Sequence, residues 1–122
     1  WKYVWKGITP RYSRPMCIDP RSPFSLTVGS APTAFSNFRE QDGAQAMLFR
    51  SDDRGESWRS LCDSAHTPSR ENIHGLAPDP RHTGGVVVGT DIGEVWTVSD
   101  DAKWTMEADG LPPVLAVHPL AN

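Results

Sequence analysis

The chain has 122 residues and a formal net charge of −3, from 12 basic and 15 acidic side chains, and it contains 11 prolines and 10 glycines. The acidic balance gives no general electrostatic reason to bind nucleic acid or an anionic membrane, and no apolar run approaches the roughly 18 residues of a membrane-spanning helix. Short Val, Leu and Ile runs between prolines and glycines are typical of a turn-rich all-β protein. Because the chain begins at Trp1 rather than methionine, we expect that processing or truncation removed an earlier portion.

In chain order, the first feature is a sequence element that recurs. Cys-Ile-Asp-Pro-Arg at 17–21 returns as Ala-Pro-Asp-Pro-Arg at 77–81, 60 positions later, and a Val-Gly element follows each copy at the same distance. A third copy, Leu-Ala-Val-His-Pro, occupies 115–119. Such self-similarity predicts a repeat architecture.

A polar turn follows between two short hydrophobic segments. The oxygens of Ser51 and Asp53 can accept hydrogen bonds from nearby backbone N–H groups, Gly55 can adopt the positive φ that such a turn requires, and Trp58 can pack the returning strand. We interpret these four residues as a structural hairpin turn rather than a catalytic loop.

A shortened copy of this turn occurs at Ser99, Asp101 and Trp104. It is two residues shorter and lacks the glycine, so its hairpin is expected to turn more tightly. The segment that starts at Trp1 aligns with the segment that starts at Trp104. This alignment predicts that Trp1 closes an earlier copy of the turn.

Each repeat is predicted to form the four strands of one propeller blade, with one strand before Asp-Pro, one ending in Val-Gly, one entering the polar turn and one leaving it. The predicted fold class is therefore all-β, with two complete four-stranded β-propeller blades and one flanking strand at each end. The units are 1–8 (outer strand of a preceding blade), 15–61 (blade one), 73–108 (blade two) and 113–122 (inner strand of a following blade). The predicted strands are 2–5, 15–18, 24–28, 46–50, 57–61, 73–77, 85–88, 94–98, 103–107 and 114–117.

These strands do not close a ring, because a propeller needs about four to eight blades. We therefore expect that the remaining blades of a longer chain, or other copies of this chain, complete the propeller. A segment of a longer propeller is the favoured alternative, since three copies would leave pairs of spare strands with nothing between them.

The Asp-Pro-Arg and Val-Gly-Ser elements followed by Ser-x-Asp-x-Gly-x-Ser-Trp resemble the blade signature of the BNR/Asp-box repeat β-propeller family. That family includes sialidases, xyloglucan-cleaving glycosidases, sortilin-type receptors and photosystem assembly factors. The resemblance covers essentially the whole chain and implies that the Asp-box is a structural turn away from the catalytic face, so that Asp53 and Asp101 are not catalysts. The end of the chain, 114–122, resembles the last element of glycosidase-like members, which implies a C-terminal segment of such a protein.

Function in propellers resides in the loops between strands two and three and between successive blades. Blade one has the longer loops: Gly29 to Ser51 spans 22 positions against 10 from Gly89 to Ser99, and a second insertion follows Trp58. The candidate ligand-binding residues on these loops are Phe35, Phe38, Arg39, Glu40, Asp42, His66, Arg70 and Glu71.

Two interpretations of these residues stay open. Phe35 and Phe38 with the nearby charged groups could form a sugar-binding platform, or the aromatic rings could anchor a long loop. Glu40 with Asp42 or Glu71 could be the paired carboxylates of a glycosidase, or solvated loop acids.

Several other chemistries lack their signatures. Tyr3 and Tyr12 are the only tyrosines, and neither is paired with a glutamate as a sialidase nucleophile would be; the Arg-Ile-Pro start of that class is also absent. The four histidines show no metal-ligand spacing, and no cofactor is predicted. Cys17 and Cys62 are expected to be free packing thiols, with a disulfide as the alternative.

The sequence thus supports two functional hypotheses, beside a third, purely structural possibility that these blades only close the ring. The first is a non-catalytic Asp-box propeller segment whose loop rim binds a glycan or a protein. The alternative is the C-terminal part of a glycoside hydrolase, xyloglucanase-like or sialidase-like, with its catalytic acids in other blades. No nucleic acid or membrane partner is predicted.

Overall fold

The computed structural model describes residues 2–120, which form two four-stranded antiparallel sheets. In each sheet the strands follow one another in chain order. This confirms the predicted all-β fold and is consistent with two propeller blades. Blade one consists of β1 (Tyr12–Ile18), β2 (Leu26–Ala31), β3 (Met47–Ser51) and β4 (Arg59–Ser60), and blade two of β5 (Ile73–Pro78), β6 (Val86–Thr90), β7 (Val95–Val98) and β8 (Trp104–Ala108).

A single hydrophobic core joins the two blades. Leu48 and Leu61 of blade one and Val88 of blade two are fully buried in one cluster. Each such side chain contributes roughly 1.5–3 kcal/mol when it is removed from water. The run of three valines in β6 suits this position, because β-branched side chains pack well in a strand that is covered on both faces.

The two predicted flanking strands are not strands in this structure. Residues 2–5 and 114–117 have no strand assignment, because a strand takes its hydrogen bonds from a neighbour in its own sheet and the described chain offers neither segment such a neighbour. Both segments still pack on a blade, since the Trp58 indole donates to the Val4 carbonyl (2.7 Å) and the Val114 N–H donates to the Thr90 carbonyl (3.0 Å). The predicted role of Trp1, and the end of the 113–122 unit, lie outside the described residues.

A buried arginine connects the two blades by hydrogen bonds. Arg50, at the end of β3, is 1% exposed. Its guanidinium donates to Thr27 Oγ1 (3.1 Å), to Asp100 Oδ1 (2.6 Å) and to the Gly84 carbonyl (2.5 Å). Since two of these partners belong to blade two, Arg50 holds the relative position of the blades.

The repeated Asp-Pro-Arg turns also contact each other. Asp19 accepts a hydrogen bond from the Gly84 N–H (2.9 Å), and Arg21 donates to the Asp79 carbonyl (2.6 Å). Burial by itself raises the pKa of Asp19, but hydrogen bonds from Arg21 and from the Gly84 N–H outweigh it and lower that pKa to about 2. The carboxylate is therefore ionised and bridges both blades.

The cysteines are free thiols, as predicted, and both are partly buried. Burial raises the pKa of Cys17 to about 11 and also raises the pKa of Cys62. Within residues 2–120 the helical content is one 3₁₀ turn, Ser64–His66, and no helix is long and apolar enough to cross a membrane.

Candidate functional site

The long loops of blade one lie at one end of the sheet. Consecutive connections of an antiparallel meander alternate between its two ends, so the β2–β3 loop (32–46) and the β4–β5 connection (61–72) share an end. The β3–β4 and β7–β8 turns lie at the other end. We call residues 32–46 and 61–72 together the long-loop surface.

Backbone hydrogen bonds fasten the two parts of this surface to each other. Ala46 and Ser69 exchange two N–H to carbonyl bonds of 3.0 and 2.8 Å, and the Ala44 N–H donates to the Arg70 carbonyl at 2.8 Å. Gly43 has a φ of 71°, and a Cβ there would lie 3.0 Å from the Arg70 Cα. The loops therefore form one continuous surface.

Asp91, which the sequence interpretation missed, anchors this surface to blade two. Its carboxylate accepts hydrogen bonds from the backbone N–H groups of Phe38 and Asn72, both at 2.9 Å. The Asn72 side chain in turn donates to the Ser36 carbonyl at 2.7 Å. Its position directly after the Val-Gly-Thr strand end was the available signal, since aspartates there often accept bonds from loop backbone.

An open depression lies within the β2–β3 loop and has a volume of about 300 Å³. Three of the predicted ligand-binding residues line it, namely Phe35, Glu40 and Asp42. Phe35 is 83% exposed, and both acids are exposed. The remaining lining residues are Pro32, Thr33, Ser36, Gln41, Gly43, Ala44 and Gln45.

The other predicted residues lie outside this depression. Phe38 is half-buried, with the Arg39 guanidinium 5.3 Å from its ring centre, and the bond from its N–H to Asp91 makes it a loop anchor. Arg70 lies against Gly43. The Glu71 carboxylate accepts a hydrogen bond from Ser69 at 3.3 Å.

His66 is placed inside the fold. It is 7% exposed, stacks on Trp104 with ring centres 3.9 Å apart, and meets Trp96 edge-on at 5.0 Å. Its Nδ1 lies 2.6 Å from the Asp63 carboxylate. His66 therefore attaches the 3₁₀ turn to blade two, away from the depression.

The turn carboxylates at the opposite end accept hydrogen bonds within their own turns. Asp53 Oδ1 accepts hydrogen bonds from Ser51 Oγ (2.8 Å) and from the Ser57 N–H (2.9 Å), and Ser51 Oγ accepts from the Gly55 N–H (2.8 Å). Hydrogen bonds lower the pKa of Asp53, and the largest contribution comes from the Ser57 side chain.

The second turn repeats this arrangement. Ser99 Oγ donates to Asp101 and accepts from the Lys103 N–H at 3.0 Å. The hydrogen bond from Ser99 is the main cause that lowers the pKa of Asp101. Both acids are thus held ionised as turn-forming groups.

Residues 2–120 contain no group of three or more His, Cys, Asp or Glu side chains that could hold a metal ion. On the long-loop surface, the acid-lined depression brings together three of the predicted ligand-binding residues, Phe35, Glu40 and Asp42. No protein-family model matches the chain, and no curated protein sequence matches it significantly.

Proposed function

We propose that the chain is a non-catalytic segment of an Asp-box β-propeller, of the sialidase-like or glycosidase-like kind, whose long-loop surface binds a glycan. The observation that carries this proposal is the open depression in which the exposed ring of Phe35 lies beside Glu40 and Asp42. An aromatic face packs against the C–H groups of a sugar, while carboxylates accept hydrogen bonds from its hydroxyl groups.

The geometry of the two polar turns supports the Asp-box assignment. In each turn a serine hydroxyl accepts a hydrogen bond from the N–H four residues later and binds the aspartate two residues later. The tryptophan that closes each turn also makes the same contact. Trp58 donates its indole N–H to the Val4 carbonyl and Trp104 donates to the Leu61 carbonyl, and Leu61 follows Trp58 by the same three positions as Val4 follows Trp1.

The proposal includes further blades, supplied by a longer parent chain or by other copies, to complete the ring. Blades stabilise one another by burying the faces of neighbouring sheets. Nucleic acid and membrane are not among the proposed partners.

Glycan binding can be tested on an array with the 122-residue chain and with any longer parent. Phe35→Ala should reduce binding at least about tenfold, because an aromatic contact and its buried area are lost. Phe24→Ala is the matched control, since Phe24 is another exposed phenylalanine (59%) in the β1–β2 turn at the opposite end of blade one. Absence of glycan binding by the unmodified proteins, or equal losses in the two variants, would contradict the proposal; selective retention of a protein instead would identify a protein partner.

A second candidate is the C-terminal part of a glycoside hydrolase whose catalytic acids lie in other blades. The two acids in the depression favour it, because they could form one wall of a substrate cleft. Hydrolysis of a chromogenic glycoside by the parent, abolished by substituting acids outside this segment, would support this candidate.

A further inference from the structure

The first strand of each blade contains an irregularity at the equivalent place. In blade one, the pairing of β1 with β2 slips by one residue between Ser13 and Met16. In blade two, the pairing of β5 with β6 slips between Ile73 and Gly75. An extra residue in one strand is a β-bulge, which redirects side chains and is common next to binding sites.

These two bulges direct their residues into one cleft. Arg14 and His74 lie at the bulges and are 60 positions apart, the spacing that relates the two repeats. Both line a narrow cleft between the blades, together with Tyr12, Ser30 and Asn72. The repeat thus brings a cation and an imidazole to the same place.

A buried hydroxyl without a partner lies in the same cleft. Ser30 is 3% exposed, and its Oγ has no hydrogen-bond partner among the described residues. Buried polar atoms are rarely left unpaired. The cleft is partly open, and its free volume of about 10 Å³ admits roughly one oxygen atom of a water or a ligand.

The lining of the cleft favours an anion. No aspartate or glutamate is among its lining residues, and the neighbouring Asp91 already accepts two backbone N–H groups. Arg14 donates to the Tyr12 hydroxyl at 3.0 Å, and an arginine has further N–H donors.

We propose that this cleft binds a carboxylate or sulfate group, with one oxygen accepting the Ser30 hydroxyl hydrogen and the Arg14 guanidinium compensating the charge. The His74 ring supplies a further N–H donor. The site adjoins the Phe35 depression, with which it shares Thr33, but the proposal does not rest on glycan binding there.

The test is a titration of the ¹⁵N-labelled 122-residue chain, followed by NMR, with sodium acetate in one arm and sodium sulfate in another. Sodium chloride holds the ionic strength constant. We expect saturable shifts of the Ser30 and His74 amide signals in at least one arm, and the arm that saturates identifies the anion class. Arg14→Gln should weaken binding at least about tenfold, since a charge-assisted hydrogen bond is lost.

Arg11→Gln is the matched control, because it removes the same charge from the same segment, where Arg11 stacks on Trp5 rather than lining the cleft. It should change affinity less than about twofold. Ser30→Ala removes only an unpartnered hydroxyl and should weaken binding about fivefold. If Arg14→Gln disturbs the spectrum as a whole, the affinity of Ser30→Ala tests anion binding in the cleft instead. Unsaturable shifts in both arms, equal losses in the two arginine variants, or unchanged affinity in Ser30→Ala would overturn the proposal. Glycan binding that still depends on Phe35 would show that only this site had failed.

Discussion

The two blades have the same strand plan, but they place glycine differently at their left-handed turn positions. In the β1–β2 turn, Phe24 has a φ of 61°, whereas its equivalent Gly84 in blade two has a φ of 80°. In the turn before the last strand, the residue after the aspartate is left-handed in both blades although neither is glycine, with Arg54 at 61° and Ala102 at 63°; Gly55 at 84° is an additional left-handed residue of the longer turn in blade one. The hydrogen bonds of the repeat therefore set the turn backbone. A residue other than glycine at such a position adopts a strained left-handed conformation.

The blades differ more strongly in their connections and therefore in what they can bind. Blade one carries both the long β2–β3 loop and the connection to β5, while blade two joins β6 to β7 through 91–94. Blade two instead supplies anchoring groups, including Asp91 and the ring of Trp104. One blade presents the candidate surface, and the other stabilises it.

The largest expected effect concerns the contact that joins the blades. Arg50→Met should lower the free energy of unfolding by about 3 kcal/mol, because the buried Gly84 carbonyl loses its charged donor. Urea unfolding measures this change. Arg59→Met is the control, since Arg59 binds the same Asp100 carboxylate but is 45% exposed, and it should cost less than about 1 kcal/mol. Similar losses in both variants would show that Arg50 acts only as another surface ion pair.

The acid dependence of stability should come next. The pKa of Asp19 is lowered from 3.8 to about 2, so its stabilising contribution is present above the unfolded value and is lost as the pH falls from about 4 towards 2. Asp19→Asn should reduce the loss of unfolding free energy between pH 5 and 2 by about 2 kcal/mol.

Asp79→Asn provides the comparison from blade two. The pKa of Asp79 is also lowered, because hydrogen bonds from Arg81 outweigh the opposing effect of burial. Asp79→Asn should therefore also reduce the loss of unfolding free energy at acid pH. A wild-type pH profile in Asp19→Asn would contradict the assigned role of the carboxylate.

The tryptophans that close the turns test the comparison more finely. Trp104→Phe should cost about 1.5 kcal/mol, because it removes the bond to the Leu61 carbonyl and reduces stacking on His66. Trp58→Phe should cost only about 0.5 kcal/mol, since its bond to the Val4 carbonyl is exposed. Thermal or urea unfolding measures the loss of stability in both variants. A larger loss in Trp58→Phe than in Trp104→Phe would contradict this prediction.

The smallest effect should be a gain. Phe24→Gly should raise the free energy of unfolding by about 0.5 kcal/mol, because relief of the left-handed strain exceeds the added freedom of the unfolded chain. Phe24→Ala retains the Cβ and should give no such gain. If both variants gain equally, removal of the exposed ring is the cause. Gly84→Ala should destabilise blade two, because a Cβ there would also lie 3.1 Å from the Asp100 carboxylate.

The sequence was sufficient for the strands of the two sheets but not for the flanking segments 2–5 and 114–117, which are not strands, nor for the detailed site. All eight strands in the two sheets begin and end within about three residues of their predicted bounds, because runs of β-branched residues and turn residues are local signals. β4 is shorter than predicted, at Arg59–Ser60. Of the eight predicted ligand-binding residues, Phe35, Glu40 and Asp42 line the depression, while His66 is buried.

By itself, the sequence determined the repeat, the two polar turns and the long loops of blade one, since each depends on residues close together in the chain. Only the tertiary structure decided that Asp91 anchors the long loop, that Arg50 is buried between the blades, and that Arg14, Ser30 and His74 share a cleft. These residues meet because the blades pack face to face, and the neighbour that a polar side chain gains in that packing is not encoded in its local pattern.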